Sequence, residues 1–303
     1  MADESKWIAG ISARQSVAGV AHIVLQARLR SVWRWLPLAA QQGDRDPEFV
    51  HQLRVSVRRA EAALRIFGEL LPPGVRKVTR RRLRVVRRAA GRTRDGDVLL
   101  GRISNTRLDP PISQKLLVPL KQARADAQRA LLAAAQAVDN EDFPGKMAWL
   151  LNLLLHEQPP RSRRKFRKYA RKALRREARA FRRAARNAYR TPSRLHRFRI
   201  ACKRLRYAIE CVAPVLHANV RQDLYPRLSE LQGRLGSVND RAAAAEWYLE
   251  FSRNGCLEAD RPPIVELATA ERDALRAERR QFRQWWSGRR SRRLRRLLDK
   301  HAG

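Results

Sequence analysis

The sequence predicts an all-α protein made of two homologous helical halves, and three observations carry that prediction. Helical periodicity is nearly continuous, and no run alternates apolar and polar residues with the period of a strand. Gly and Pro are sparse, 14 and 15 in 303 residues, and they fall where one periodic run gives way to the next. The chain also repeats itself: shifted by 145 residues, 51–95 lies over 196–240 without a gap.

Hydrophobic residues make up 44% of the chain, enough for a core in one large domain or two packed halves. The periodic runs predict helices near 5–40, 47–71, 74–90, 94–103, 112–138 and 144–156 in the first half. Helices near 162–190, 193–216, 219–236, 239–253, 262–286 and 288–300 follow in the second. The breaks are Asp46-Pro47, Pro72-Pro73-Gly74, Pro110-Pro111, Pro159-Pro160, Thr191-Pro192 and Pro262-Pro263. Gly91 and Gly236 read as helix stops, and Asp95 and Asp240, four residues later, as caps of the next helix with an ion pair to an Arg.

Eleven of the 45 overlaid pairs are identical: 51/196, 54/199, 59/204, 63/208, 71/216, 75/220, 76/221, 82/227, 83/228, 91/236 and 95/240. Four are Arg, which this composition inflates, but the paired His, Gly and Asp are not explained that way. The apolar pattern agrees too, with Leu53, Val57, Leu64 and Phe67 opposite Phe198, Cys202, Ile209 and Val212. A basic helix precedes each copy and a long helix follows each. The expected organisation is therefore a single domain over 1–303. It comprises a first bundle at about 5–140, a connector at 141–160, a second bundle at about 160–290 and a basic C-terminal helix at 288–303. Two such bundles facing each other would leave a groove or channel between them.

Charge narrows the function. Lys and Arg number 66 against 29 acids, a net charge of +37. A compact chain so charged repels itself, which calls for a polyanionic partner: nucleic acid, polyphosphate or an anionic membrane surface. Arg greatly outnumbers Lys; the cause is either phosphate recognition by its planar fork of donors or a GC-rich genome. Cys202, Cys211 and Cys256 are too few for a disulfide framework and read as small buried apolar residues. The N-terminal Met-Ala-Asp-Glu-Ser-Lys lacks a signal-peptide pattern, and the longest apolar run, Met147 to Leu155, is too short to span a bilayer. A cytoplasmic setting is the expectation.

The helix opening each copy is two-sided. His51, Arg54, Arg58, Glu61 and Arg65 share one stripe, and Leu53, Val57, Ala60, Leu64 and Phe67 another. In the second copy His196, Arg199, Lys203 and Arg206 oppose Phe198, Cys202, Leu205, Ile209 and Val212. Cations at i, i+3 and i+7 either track a linear polyanion or form a solvated face. Each histidine opens a helix, where free N–H groups attract anions, so it is either a phosphate partner or a capping or packing side chain. No second ligand stands at metal-binding spacing beside either one.

The next helix carries Val75, Val78, Leu83, Val86 and Ala90 on its apolar face, with Arg82 inside it. Arg227 falls likewise among Val220, Leu224, Leu228 and Leu231. An inward charge needs a partner, either Asp95 or Asp240 respectively or a bound anion. The outer face holds Arg76, Lys77, Arg80, Arg84, Arg87 and Arg88. Its counterpart, Arg221, Gln222, Tyr225, Ser229, Gln232 and Gly233, is far less basic, so the first copy is expected to bind more strongly. Arg161–Arg190 and Arg289–Lys300 are further basic helices, the latter beside Trp285 and Trp286, which either anchor at a surface or pack on the preceding helix. No GxxxxGK[ST] or GxGxxG loop, carboxylate cluster or nucleophile–base pair points to catalysis.

Two stretches of the first copy, Val50-His51-Gln52-Leu53-Arg54-Val55-Ser56-Val57-Arg58-Arg59 and Gly91-Arg92-Thr93-Arg94-Asp95-Gly96-Asp97-Val98-Leu99, resemble the CHAD family, the conserved histidine α-helical domain. So do Leu195-His196-Arg197-Phe198-Arg199-Ile200-Ala201-Cys202-Lys203-Arg204-Leu205-Arg206-Tyr207 and Leu231-Gln232-Gly233-Arg234-Leu235-Gly236-Ser237-Val238-Asn239-Asp240. The resemblance covers nearly the whole chain. It implies two helical bundles with pseudo-twofold symmetry, inorganic polyphosphate in a basic central groove, and targeting to polyphosphate or storage granules. It carries over His51, Arg54, Arg58, Arg59, His196, Arg199, Lys203 and Arg204 as binding residues. Arg65, Arg80, Arg82, Arg84, Arg87, Arg88, Arg206, Tyr207 and Arg227 complete the candidate set, and no catalytic residue, metal or cofactor is expected. The ExExK strand of the CYTH triphosphatase domain often fused to this family is missing, so hydrolysis is not implied. Gly96 stands where the family pattern has a larger residue. Non-catalytic polyphosphate binding is thus the first expectation. Nucleic-acid binding is the alternative, followed by a granule-surface protein of the phasin kind and a polyphosphatase.

Overall fold

A computed structural model describes residues 6–156, 165–286 and 288–302. Among these, ten α-helices account for nearly all regular structure: α1 (Val17–Gln42), α2 (Pro47–Phe67), α3 (Pro73–Ser104), α4 (Pro110–Asp139) and α5 (Phe143–His156), then α6 (Phe166–Ala185), α7 (Pro192–Val212), α8 (Tyr225–Asn254), α9 (Arg261–Trp285) and α10 (Gly288–Ala302). The fold is all-α, and the described residues contain no strand beyond one isolated bridge, Ser16 to Lys165. Pro159-Pro160 and the start of the helix expected at 162 lie outside the described residues.

The two copies share their element pattern. α2 and its 3-10 turn, Gly68–Leu70, shifted by the repeat offset, coincide residue for residue with α7 and its 3-10 turn, Ala213–Val215. The apolar stripes read from the sequence are buried in both, from Leu53, Val57, Leu64 and Phe67 to Phe198, Cys202, Ile209 and Val212. The local causes are also readable. Asp46 caps α2 by accepting from Glu48 N at 2.8 Å, and Pro47 fills the first turn, where no N–H is required. Thr191 Oγ1 accepts from Arg194 N at 3.3 Å ahead of α7.

Several boundaries differ from the sequence expectation. The first helix starts at Val17, not near residue 5, because Ser16 caps it through a 3.1 Å bond from Gly19 N. Gly91 and Gly236 do not end helices: α3 and α8 run through both, the latter after a π turn at Val220–Leu224. Asp95 and Asp240 are therefore mid-helix residues, not caps. A helical Gly costs about 1 kcal/mol relative to Ala, which tertiary packing outweighs here. Thr93, two residues on, is fully buried and bonds Ala89 O and Ala127 O. Val78 is 46% exposed, and Thr79 takes the buried position instead.

The chain divides into two compact units. The first is Met1–Arg107, Leu116–Ala173 and Glu210–Val215; the second is Leu108–Lys115, Leu174–Ile209 and Leu216–Gly303. In the first unit α1 packs on α2 and α5, and α2 on α3. Ser31 and Ser56 share a buried 2.7 Å hydrogen bond across α1 and α2. Side chains of α4 finish the C-terminus of α1: Gln128 Nε2 donates to Ala39 O and Ala40 O at 2.8 and 2.7 Å, and Arg124 to Gly43 O. These are carbonyls that the helix itself leaves unpaired. Arg124 also donates from Nε to Asp97 at 3.0 Å, and its stem crosses α3 at Gly96. A Cβ there would meet Arg124 Cγ at 2.9 Å, which explains the glycine.

In the second unit α8 packs on α9, with Arg241 holding Glu278 and Glu271. Phe181 and Trp286 both pack on Phe198, at 5.2 and 5.3 Å between ring centroids. Trp285, at the end of α9, touches Phe282 of the same helix, and the guanidiniums of Arg234 and Arg290 both lie against its ring. No helix among the described residues is long and apolar enough to cross a membrane.

The two glycines of α3 give opposite expectations. Gly96→Ala should destabilise the first unit by about 1–3 kcal/mol through overpacking. Gly91→Ala, whose Cβ meets open space, should stabilise it by up to about 1 kcal/mol. Urea unfolding of both variants checks this; equal effects would remove the Arg124 crossing as the reason for Gly96.

Candidate functional site

In the first unit the polar stripe of α2 lies along its seam with α3. Arg54 donates to Asp95 at 3.0 Å and reaches Gly91 O at 3.4 Å. Further along the same seam, Arg87 Nε donates to Glu61 at 2.9 Å. Arg54 is half-buried, whereas its partner Asp95 is 76% exposed, so the pair stands at the rim. Asp95 thus makes the expected ion pair with an Arg, although it caps nothing. His51 and Arg58 are half-buried on the same stripe, and Arg65 is exposed at its end.

The α3 surface beside that seam carries a band of uncompensated charge. Arg76, Lys77, Arg80, Arg81, Arg84, Arg88 and Arg92 are all exposed, and none has an acid partner among the described residues. From 76 to 92 the row runs about 24 Å along the helix at 1.5 Å per residue. The sequence reading missed Arg81 and Arg92. With the helix expected to stop at Gly91, Arg92 fell into a loop, and only the continuous helix puts it in the row.

Other candidates are engaged internally. Arg59 donates from Nε to Glu210 at 2.7 Å, and that carboxylate is wholly buried. Arg82 pairs with Glu141, not Asp95. Arg227 pairs with Asp223 at 2.5 Å, not Asp240, and stands at the edge of its apolar face, not inside it. Both inward-reading arginines therefore find acids other than the expected ones: Asp223 one turn earlier, and Glu141 just before α5.

In the second unit His196 and Arg204 are exposed, while Arg199 and Lys203 are half-buried. Arg206 does not project into solvent like its stripe. Its guanidinium lies 4.8 Å from the Tyr207 ring and 5.6 Å from that of Tyr225, and it donates to Tyr225 Oη at 3.2 Å. Tyr207 and Tyr225 are both buried, so Tyr225 does not belong to the outer face of its helix.

The sequence matches the CHAD domain model over residues 23–249. The chain belongs to the CHAD family. Its structure is similar to the crystal structure of the CHAD domain from the plant Ricinus communis, with a TM-score of 0.69 at 24% identity, covering 92% of this chain and 96% of that one. It is also similar to PptA from Streptomyces chartreusis, with a TM-score of 0.62 at 21% identity, covering 90% of this chain and 99% of the other. At these identities the likeness is one of fold. No curated protein matches.

The two histidines paired by the repeat, His51 and His196, differ in environment. Burial pushes the His51 imidazole below its ordinary 6.5; Glu48 opposes this, and Arg94 and Arg54 reinforce it. His196, by contrast, is exposed. Burial likewise raises the Asp97 carboxyl, against the hydrogen bond and charge of Arg124. Cys202 and Cys211 are pushed up to about 12 by burial, which makes them inert thiols. Among the described residues no group of three or more His, Cys, Asp or Glu is placed to hold a metal ion.

Two outcomes test this description. Because the folded pKa of His51 is depressed, the unfolded chain takes up its proton first. Its contribution to stability is complete above about pH 6.5 and is lost as the pH falls through the lowered folded value. The His51 ring should titrate below 6.5 by NMR, and His51→Gln should flatten the acid side of the stability profile; a midpoint above 6.5 would contradict the buried placement. Glu210→Ala leaves the Arg59 cation buried without its acid and should cost about 3–5 kcal/mol. Glu230→Ala, in an exposed pair with Arg234, should cost under about 1 kcal/mol. A similar small loss for both would demote the Arg59 pair.

Proposed function

We propose that this CHAD protein binds inorganic polyphosphate without catalysing a reaction, and that it works in the cytoplasm at polyphosphate or storage granules. The observation that carries this reading is the α3 band: seven exposed cations along one side of the helix, with no acid partner among the described residues. Such a band offers six guanidiniums and the Lys77 ammonium to a linear chain of phosphates, each guanidinium a planar fork matched to phosphate oxygens. Membership of the CHAD family supports it.

In the first unit the ligand runs along Arg80, Arg84 and Arg88 and along the rim residues His51, Arg54, Arg58, Arg65 and Arg87. In the second unit the phosphate-binding residues are His196, Arg199, Lys203 and Arg204. Arg59, Arg82, Arg206, Tyr207 and Arg227 hold these faces in place through their internal partners. A phosphate beside His51 favours the imidazolium form that burial disfavours in the free protein. Binding therefore takes up a proton, and affinity rises as the pH falls through the window between the free and bound values.

Nucleic acid offers the same anionic groups, but single-strand binders add free aromatic faces beside their cations. Here Tyr207 and Tyr225 are buried under Arg206.

The test titrates long-chain polyphosphate against duplex and single-stranded DNA at equal phosphate concentration and physiological salt. Polyphosphate should win by more than tenfold. Arg80→Glu, Arg84→Glu and Arg88→Glu together should lower its affinity by more than tenfold with helical content unchanged, and the His51 titration should move up on binding. Equal competition by DNA, or unchanged affinity of the triple variant, would overturn the reading.

A further inference from the structure

A second charged surface, unused by the proposed site, lies in the second unit on α10. This helix begins at Gly288, well past residue 249, and so lies outside the stretch that the CHAD model matches. One face is occupied: Leu294 and Leu298 are buried, and the helix packs against the π turn at Val220–Leu224. The opposite face carries Arg289, Arg293, Arg296 and Lys300 at i, i+4, i+7 and i+11, all exposed. That spacing is a single row about 17 Å long. None of the four has an acid partner among the described residues. The one acid on the helix, Asp299, is taken by Arg182 of α6, and α6 adds the exposed Arg179 and Arg183.

Two features narrow the occupant. Leu294 and Leu298 are buried and Leu297 is half-buried, so no exposed apolar face remains to insert into a bilayer. The nearby Trp285 ring is covered by Arg234 at 4.6 Å and Arg290 at 5.3 Å and stacks on Trp286, so it offers no open face to a nucleobase. What remains is a convex, one-helix-wide line of cations, which suits a flexible bare phosphate chain.

We propose that α10 is a second polyphosphate-binding segment that makes the protein select long chains over short ones. The proposal rests on the polyphosphate reading above. Each attachment of one chain raises the effective concentration of its remaining phosphates, so a chain of many phosphates gains from a second row of cations. A short chain fills one site only.

The experiment uses the full chain and the quadruple variant Arg289→Ala, Arg293→Ala, Arg296→Ala and Lys300→Ala, which leaves both buried leucines in place. Affinities are measured for long-chain polyphosphate, tripolyphosphate and duplex DNA, each over a range of salt. The variant should lose at least about tenfold for long chains and show a shallower salt dependence with them, while tripolyphosphate binding stays within about twofold. The charge-keeping variant Arg289→Lys, Arg293→Lys and Arg296→Lys should retain the long-chain preference, which separates charge from folding. Unchanged long-chain affinity in the quadruple variant, or an equal loss for short and long chains, overturns the inference and leaves the polyphosphate reading standing. A loss confined to DNA overturns it in favour of a nucleic-acid surface. Failure of the unaltered protein to bind any polyphosphate overturns both.

Discussion

Scarcity of acid governs this molecule. With 29 acids against 66 bases, every carboxylate engaged between elements leaves cations elsewhere without a partner. The described ion pairs use most of their acids that way. Asp95 and Glu61 join α3 to α2, Asp97 joins α3 to α4, Glu210 joins α7 to α2, and Glu271 and Glu278 join α9 to α8. The outer faces of α3 and α10 are left unneutralised. A fold under such self-repulsion gains from any polyanion that binds its folded state, because binding to the folded form adds directly to stability.

The Arg59–Glu210 pair shows how the two copies have diverged within one pattern. The repeat places Arg65 opposite Glu210, and Glu61 opposite Arg206. In the first copy the seam with the following helix is held by Glu61 and Arg87; in the second, Arg206 rests on Tyr207 and Tyr225. The backbone elements coincide while the polar chemistry between them has been exchanged, from an ion pair to a cation on aromatic rings. The helix that follows also carries fewer cations in the second copy, with Gln222, Ser229 and Gln232 where the first copy has Lys77, Arg84 and Arg87.

Much of the candidate site was legible before folding was considered. His51, Arg54 and Arg58 share a stripe because a helix advances about 100° per residue, and the same arithmetic marks Arg80, Arg84 and Arg88 as an outer face. What went astray was local punctuation. Gly91 and Gly236 carry the pattern of helix stops, yet Thr93 is buried against α4 and the helix continues. Only that continuity puts Arg92 into line with the row.

The periodicity and the repeat sufficed for the all-α class, the two-copy pattern and the buried stripes of α2 and α7, because apolar spacing is a local property that survives any arrangement of neighbours. Ion-pair partners are a different matter. Arg82 finds Glu141, Arg59 finds Glu210 and Arg124 finds Asp97, across separations of 59, 151 and 27 residues. With 66 cations competing for 29 acids, spacing along the chain does not say which cation is satisfied and which is left to face a ligand. That assignment depends on which side chains packing brings within reach, and it was made only by the tertiary structure.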